Sequence, residues 1–93
     1  MDCVLIIHEV EGYSQWKRGL DNATALRKDA EALEYQVLQY AGESNRVVHF
    51  SKGESHAKAK LFFESKDVQR IRDEIGVKRP EFIYLTETES GVL

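Results

Sequence analysis

The feature that most constrains this chain is an early run of apolar and β-branched residues, which covers residues 3–10 and reads CVLIIHEV. Such residues favour strands, and polar side chains enter the run only near its end, at His8 and Glu9. A nearly continuous apolar strand is typical of a sheet covered on both faces, because a strand with one solvated face alternates apolar and polar residues. The rest of the chain therefore has to cover two faces.

A long helical pattern and a hairpin follow this strand. Apolar residues recur at three- and four-residue steps from an N-cap at Ser14 to a helix end near Leu33. Residues 34–41 and 46–51 then read as two strands joined by a turn of polar residues and glycine. The apolar stripe of the predicted helix is formed by Trp16, Leu20, Ala23, Leu26, Ala30 and Leu33.

The second half of the chain repeats the order of helix and strand. Ser55 caps a second predicted helix, Ser65 caps a short third helical piece, and Gly76 ends that piece. After a connector at residues 78–80, residues 81–87 form the last predicted strand. The order β-α-β-β-α-β predicts a ferredoxin-like α+β fold with a four-stranded antiparallel sheet, in which the first and third strands are central.

This topology leaves one face of the sheet without helices. The predicted helices lie against the other face, within a single domain that spans residues 1–93. The face without helices still carries apolar side chains, namely Leu5, Ile7, Leu38, Val48, Phe50, Ile83 and Leu85. An uncovered apolar sheet of this size is rare on a monomer. We therefore expect two copies of the chain to pack face to face as a homodimer.

Composition and charge argue against several classes of partner. The formal net charge is −3, whereas binding to nucleic acid requires a basic surface. Cys3 is the only cysteine, which rules out an internal disulfide and a thiolate metal cluster. The apolar start is too short for a signal peptide or a membrane span, so a cytoplasmic protein is expected. The chain has no glycine-rich phosphate loop and no dinucleotide fingerprint, and we expect no cofactor.

Spaced residues along nearly the whole chain form a recognisable pattern. They are His8, Val10, Tyr13, Trp16 and Lys17, then Leu26, Arg27, Tyr35, Gln36 and Val37, then Asn45, Val47, Val48, Ala57, Ala59, Phe62, Phe63, Ser65, Gly76, Val77, Pro80 and Tyr84. This pattern resembles the dimeric α/β-barrel superfamily, and within it the small proteins similar to antibiotic biosynthesis monooxygenases. The resemblance implies a dimeric barrel. The members that this chain resembles include cofactor-independent oxygenases, haem-degrading enzymes, polyketide cyclases and many proteins with no known activity. Glu34 and Ser44 depart from it, since a glycine and a proline are common there.

Two histidines on the central strands are the first candidates for chemistry. With a symmetric antiparallel register, His8 and His49 lie on the same face of the sheet, within one diagonal step of each other. As neutral imidazoles near pH 7, they can remove a proton from a phenolic or enolic substrate. The alternative is that each is a hydrogen-bonded structural histidine. No third metal ligand is evident from the spacing, and His56 on the second helix is expected to be solvated.

Arg27 and a set of aromatic residues complete the candidate site. Arg27 lies at the edge of the apolar stripe, where its guanidinium can bind a substrate carboxylate or enolate through two hydrogen bonds. The alternative is an arginine whose stem packs on the protein while its charge stays in water. The candidate substrate-binding residues, each of which can instead belong to the core, are Trp16, Tyr13, Tyr35, Phe62 and Tyr84.

Two functions of different class fit these residues. The first is a small-molecule-binding homodimer that acts as a cofactor-independent monooxygenase on an aromatic or polyketide-like substrate. In it His8 or His49 takes a proton, Arg27 stabilises the anion, and the carbanion reacts directly with oxygen. The second is a non-catalytic dimeric module that binds a ligand or acts in a stress response. A large pocket reached by both histidines favours the first function, and a dry interior with both histidines bonded to backbone carbonyls favours the second.

Overall fold

The computed structural model describes residues 2–29 and 32–93, which form four strands and four short helices. In chain order these are β1 (Asp2–Val10), α1 (Tyr13–Asn22), α2 (Thr24–Asp29), β2 (Ala32–Tyr40), β3 (Glu43–Gly53), α3 (His56–Phe63), α4 (Lys66–Glu74) and β4 (Val77–Thr86). The strands form one antiparallel sheet in the order β2-β3-β1-β4. The predicted ferredoxin-like α+β arrangement, with β1 and β3 at the centre, is confirmed. None of these helices is long and apolar enough to cross a membrane.

The register between β1 and β3 decides which side chains face the helices. Ile6 lies opposite His49, and His8 lies opposite Val47. Because side chains alternate across a strand, these four residues point to the same face of the sheet. All four are buried. The two histidines therefore share a face and lie one diagonal step apart, as the sequence predicts.

Two clusters of buried side chains fill the space between this face and the helices. Trp16 and Leu20 from α1 pack on strand residues in the first cluster, and Phe63 from α3 does so in the second. Their strand partners are Val10, Val47 and Val77 in the first cluster and Val4 and Ile6 in the second. Alternating strand residues and helical residues at three- and four-residue steps meet here, which is why the periodicity of the sequence predicts the layers.

The first helical segment is two helices rather than the single predicted one. The backbone N–H of Ala23 donates to the carbonyls of both Gly19 and Leu20. Next to it, the hydroxyl of Thr24 donates to the carbonyl of Asp21 at 2.7 Å. The bifurcated hydrogen bond of Ala23 tightens the last turn of α1. The Thr24 hydroxyl donates to a carbonyl of the same turn, and α1 therefore ends before α2 begins.

Both ends of this segment also differ from the prediction. Gly12, and not Ser14, occupies the N-cap position of α1, and no side chain caps it. Leu33 belongs to β2, because pairing with β3 takes precedence over the helical periodicity of the sequence. Ala30 lies outside the described residues.

The predicted start and stop signals of the later helices are confirmed. The hydroxyl of Ser55 accepts a hydrogen bond from the N–H of Lys58, and that of Ser65 accepts one from the N–H of Val68. Gly76, just past α4, has a φ of 80°, a left-handed conformation that glycine adopts at little cost. The two serine caps therefore predict where α3 and α4 begin, and Gly76 predicts where α4 ends.

Strands β3 and β4 are longer than predicted. Residues 43–45 belong to β3, and the tight turn before it includes Gly42 with a φ of 82°. Residues 78–80 belong to β4, so the predicted connector there is wrong. The pairing of β1 with β4 shifts at this point, where Arg79 has a φ of 50° and Pro80 has no N–H to donate. A β-bulge opposite His8 therefore allows Pro80 to lie within β4.

The sheet face opposite the helices is apolar and partly exposed. Leu38, Ile83 and Leu85 on this face are 48%, 36% and 40% exposed, respectively. The side chains of Leu5, Ile7, Val48 and Phe50 on the same face are half-buried. The sequence thus identifies the residues of this face, and its cover by a second copy of the chain stays a prediction.

Candidate functional site

A small cavity lies between the sheet and the helices. Its volume is about 60 Å³, and its walls come from β1, β3 and all four helices. Most of the lining is apolar. Among residues 2–29 and 32–93, four polar side chains reach it, namely His8, His49, Arg27 and Arg72. The two histidines and Arg27 are the catalytic candidates that the sequence suggests, and the fold brings all three to one cavity.

His8 comes from β1, at the point where the bulge of β4 lies opposite it. Its ring is buried and tilted against the indole of Trp16, with 5.5 Å between the ring centres. Its Nδ1 atom has no hydrogen-bond partner. Burial, and to a smaller extent the positive charge of Arg72, lower the pKa of His8 to about 4. The ring is therefore neutral at pH 7.

His49 lies on β3 and contacts Arg27. The Nη2 atom of Arg27 is 3.4 Å from Nε2 of the imidazole. A guanidinium only donates, so Nε2 accepts and the proton of the neutral ring lies on Nδ1. Burial lowers the pKa of His49 to about 3, with Arg27 and His8 as further causes. Neither Nδ1 of His8, which has no partner, nor Nε2 of His49, which contacts Arg27, is bonded to a backbone carbonyl.

Arg27 on α2 contacts Leu20 and Tyr35 in addition to His49. Its Nη1 atom donates to the carbonyl of Leu20 at 3.4 Å, and its guanidinium carbon lies 4.3 Å from the ring centre of Tyr35. The side chain is buried, burial lowers its pKa, and its Nε atom has no partner. Arg27 is therefore not an arginine whose charge stays in water. A cation–π contact and weak hydrogen bonds hold this charge instead.

Arg72 on α4 is the functional candidate that the sequence analysis missed. It is buried, its Nε atom has no partner, and burial lowers its pKa. A signal for it exists in the sequence, because Val68, Ile71, Arg72 and Ile75 follow the three- and four-residue spacing of one helix face. An arginine inside an apolar stripe is the same pattern that identified Arg27.

The predicted aromatic residues divide into two groups. Trp16 and Phe62 line the cavity. Tyr13 packs on Trp16, with 6.0 Å between the ring centres, but does not line the cavity. Tyr35 is 53% exposed and covers Arg27 from the outside. The hydroxyl of Tyr84 donates to a carboxylate oxygen of Glu64, away from the cavity lining.

Residues outside the cavity offer no alternative metal centre. His56, which is expected to be solvated, has a side chain that is 33% exposed and that also contacts the protein. Its Nε2 atom lies 2.6 Å from the carbonyl of Leu85, and its Nδ1 atom lies 3.8 Å from a carboxylate oxygen of Asp2. Within residues 2–29 and 32–93, no three His, Cys, Asp or Glu side chains are placed to hold a metal ion.

The chemistry of the cavity follows from this set of side chains. Two neutral imidazoles can accept or donate a proton, and two guanidinium groups can bind an anion. No aspartate or glutamate of the described residues lines the cavity. Because the walls are apolar, the cations act in a medium of low dielectric, where their attraction for an anion is stronger than in water. The arrangement is suited to an acidic aromatic molecule or its anion.

Comparisons with known proteins identify the fold. No protein-family model and no curated protein matches the chain. Among solved structures, SnoaB, a cofactor-independent oxygenase from Streptomyces nogalater, matches with a TM-score of 0.75 and 10% identity, over 96% of this chain and 94% of that one. A Streptomyces coelicolor monooxygenase in complex with nanaomycin D gives a TM-score of 0.66 and 14% identity, over 99% and 91%. An antibiotic biosynthesis monooxygenase gives 0.70 and 9%, over 96% and 100%. At these identities the likeness is one of fold, and the chain has the fold of the antibiotic biosynthesis monooxygenase-like proteins.

Proposed function

We propose that this protein is a homodimeric small-molecule-binding enzyme, a cofactor-independent monooxygenase that acts on an aromatic or polyketide-like substrate. The observation that carries the proposal is the convergence of His8, His49 and Arg27 on one apolar cavity. The fold similarity adds support, because two of the structures with this fold are described as a cofactor-independent oxygenase and a monooxygenase with a bound ligand.

The proposed reaction begins with the removal of a proton from the substrate. A histidine with a pKa of 3 or 4 is a weak base, so the anion that forms has to be stabilised strongly. Arg27 lies beside His49 and can bind the developing oxyanion. One well-placed donor of this kind contributes roughly 3–4 kcal/mol to stabilisation of a transition state. The negative charge of the substrate anion also offsets the positive charge of Arg27, which otherwise disfavours protonation of His49.

Molecular oxygen then completes the proposed reaction. The substrate carbanion gives electrons to O₂, and a carbon–oxygen bond forms at the carbon that lost its proton. When that carbon is a methylene between two aromatic rings, one oxygen atom becomes its carbonyl and the other leaves as water. The two electrons that reduce the second oxygen atom come from the substrate, so the balance requires no flavin or metal.

The size of the cavity limits how a substrate binds. A volume of about 60 Å³ is well below the roughly 300–1,000 Å³ of sites that enclose drug-sized ligands. A substrate with several rings therefore requires outward movement of a wall. Leu26 on α2 is 47% exposed while it lines the cavity, and it marks the place where the interior reaches the surface. We expect the substrate to enter beside α2.

The homodimer forms through the apolar sheet face in this proposal. The half-buried and exposed apolar side chains of that face come from all four strands. Burial of apolar area contributes roughly 25 cal/mol per Å², and an obligate interface between two such faces needs this contribution.

Oxygen uptake with anthrone as the substrate tests the proposed activity. We expect saturable oxygen consumption and formation of anthraquinone by the purified protein without added metal or cofactor. Arg27→Met and His49→Phe should lower kcat/KM by about 100-fold or more, as removal of one oxyanion donor typically does. Arg18→Met, at an exposed arginine on α1, and His56→Gln, outside the cavity, serve as controls and should keep the activity.

A non-catalytic ligand-binding dimer is the second candidate. The small cavity and the low pKa values of both histidines favour it, because a closed interior and weak bases are poor conditions for proton abstraction. Saturable binding of anthrone without oxygen consumption would establish this function in place of the enzyme.

A further inference from the structure

Arg72 is a buried cation that the proposed reaction does not use. It is the one buried residue of α4 and is 8% exposed. Its guanidinium carbon lies 5.0 Å from the ring centre of Phe82, and its Nε atom has no hydrogen-bond partner. Glu64 and Asp73 attract it from a distance, but no carboxylate of a described residue forms an ion pair with it.

An arginine in this position is expected to destabilise the unliganded protein. Removal of a cation from water is unfavourable by several kcal/mol unless good ionic and hydrogen-bonding partners replace the water. A contact with one phenylalanine replaces only a small part of that loss. Unsatisfied buried polar groups are rare in folded proteins and concentrate at functional sites. The buried Nε atom of Arg72 is therefore a donor for which the described residues supply no acceptor.

The surroundings of Arg72 repeat those of Arg27. Arg27 lies beside His49, and Arg72 is close enough to His8 for its charge to act on that imidazole. Both arginines line the same cavity, each with an unpartnered Nε atom. In this cavity Arg27 contacts His49, and the positive charge of Arg72 acts on His8.

We propose that Arg72 binds a second acidic group of the ligand, so that the cavity selects small aromatic compounds with two acidic groups, one for each arginine. This inference rests on the proposed function only in placing the ligand in this cavity. A ligand with one negative charge satisfies one guanidinium and leaves the other buried and unpaired. A ligand with two neutralises both, while Trp16 and Phe62 contact its ring.

Calorimetric titration with four related compounds tests this selection. Benzoate carries one carboxylate on a benzene ring, and phthalate, isophthalate and terephthalate carry a second one at different separations. We expect at least one of the three dicarboxylates to bind about tenfold more tightly than benzoate, which is a difference of about 1.4 kcal/mol. Arg72→Met should abolish this preference, so that the Kd values of benzoate and of the best dicarboxylate differ by less than about threefold in this variant. The matched control is Arg70→Met, because Arg70 is an exposed arginine of the same helix, paired with Asp67.

Thermal unfolding of Arg72→Met separates a ligand-binding arginine from a structural one. Removal of an unpaired buried charge should leave the Tm of the unliganded protein unchanged or raise it. Arg72→Lys, which keeps the charge but loses the planar fork, should retain part of the preference. A fall in Tm of several degrees for Arg72→Met would assign Arg72 to structural support and overturn the inference.

The inference is also overturned if no dicarboxylate binds more tightly than benzoate, if none of the four compounds binds, or if Arg72→Met keeps the preference. The titration involves no oxygen chemistry. A preference for a dicarboxylate without anthrone oxidation would leave the role of Arg72 intact and remove the proposed activity. Anthrone oxidation without a preference for a dicarboxylate would leave the proposed activity intact and remove the role of Arg72.

Discussion

The Nη2 atom of Arg27 lies 3.4 Å from Nε2 of His49, and within the described residues no carboxylate accompanies this contact. An arginine that donates to an imidazole keeps that imidazole neutral, because a proton on Nε2 would place two positive charges together. In the proposed reaction the guanidinium turns from Nε2 to the substrate anion, which frees Nε2, the acceptor nitrogen of the neutral ring, to take the proton. This relationship is the structural basis of the proposed chemistry.

The two buried histidines predict a loss of stability in acid. The pKa values of His8 and His49 are about 4 and about 3 in the folded protein, against an ordinary value of 6.5. Between pH 6.5 and pH 4 the unfolded chain therefore binds protons that the folded protein does not, and the free energy of unfolding falls as the pH falls. We expect a loss of roughly 2–3 kcal/mol for each histidine between pH 7.5 and pH 4.5.

Urea unfolding at these two pH values measures this loss. His49→Phe should remove the part of the pH dependence that comes from His49. An unchanged pH dependence in His49→Phe would show that carboxylates rather than this imidazole dominate the acid response.

The helix caps predict opposite results for two serine substitutions. The hydroxyl of Ser65 accepts a hydrogen bond from Val68 N–H at 3.2 Å, whereas no side chain caps α1 and Ser14 is exposed. Ser65→Ala should therefore lower the free energy of unfolding by about 1 kcal/mol, and Ser14→Ala should change it by less than about 0.5 kcal/mol. Equal effects of the two substitutions in chemical denaturation would contradict the cap assignment.

The close approach of α1 and α4 makes Gly19 sensitive to enlargement. A Cβ atom at Gly19 would lie 2.6 Å from Cδ1 and 2.9 Å from Cγ2 of Ile75. Gly19→Ala gains helix propensity, but the overlap should outweigh that gain and destabilise the protein by about 1–3 kcal/mol. In a double-mutant cycle with Ile75→Ala, the combined effect should be smaller than the sum of the two. Strict additivity would show that the helices move apart without loss.

The open sheet face predicts the oligomeric state. Sedimentation at micromolar concentration should give a species of twice the 10.7 kDa chain mass. Leu38→Lys places a charge on this face and should yield the monomer. Leu61→Lys makes the same change at a 77% exposed leucine of α3 and should leave the dimer intact. A wild-type protein that sediments at the mass of one chain would contradict the packing of two sheets.

The sequence predicts the layers of this fold because periodicity carries that information. The nearly continuous apolar run of β1 and the helical spacing of Trp16 and Leu20 identify the segments that meet in the core. The break at Ala23 is not predictable in this way, since it depends on hydrogen bonds of one turn rather than on the apolar pattern. The strand position of Leu33 likewise depends on pairing with a distant segment.

The candidate site is predictable to the extent that strand register places side chains on one face. His8 and His49 come together because β1 and β3 pair antiparallel, and Arg27 joins them from an apolar stripe. Arg72 has the same sequence signal, but a charged residue between Ile71 and Ile75 is usually solvated, so burial decides its role. The distance of Tyr13 and Tyr84 from the cavity depends on packing that spacing alone does not specify.

The measurement that tests the central claim most directly is an NMR titration of the three histidine side chains with benzoate. His8 and His49 line the cavity, and His56 lies outside it as an internal control. If the cavity binds aromatic anions beside its arginines, the imidazole resonances of His8 and His49 will shift with one saturable Kd while those of His56 stay in place. Unchanged resonances of His8 and His49 at saturating benzoate, or shifts confined to His56, would contradict the assignment of this cavity as the functional site.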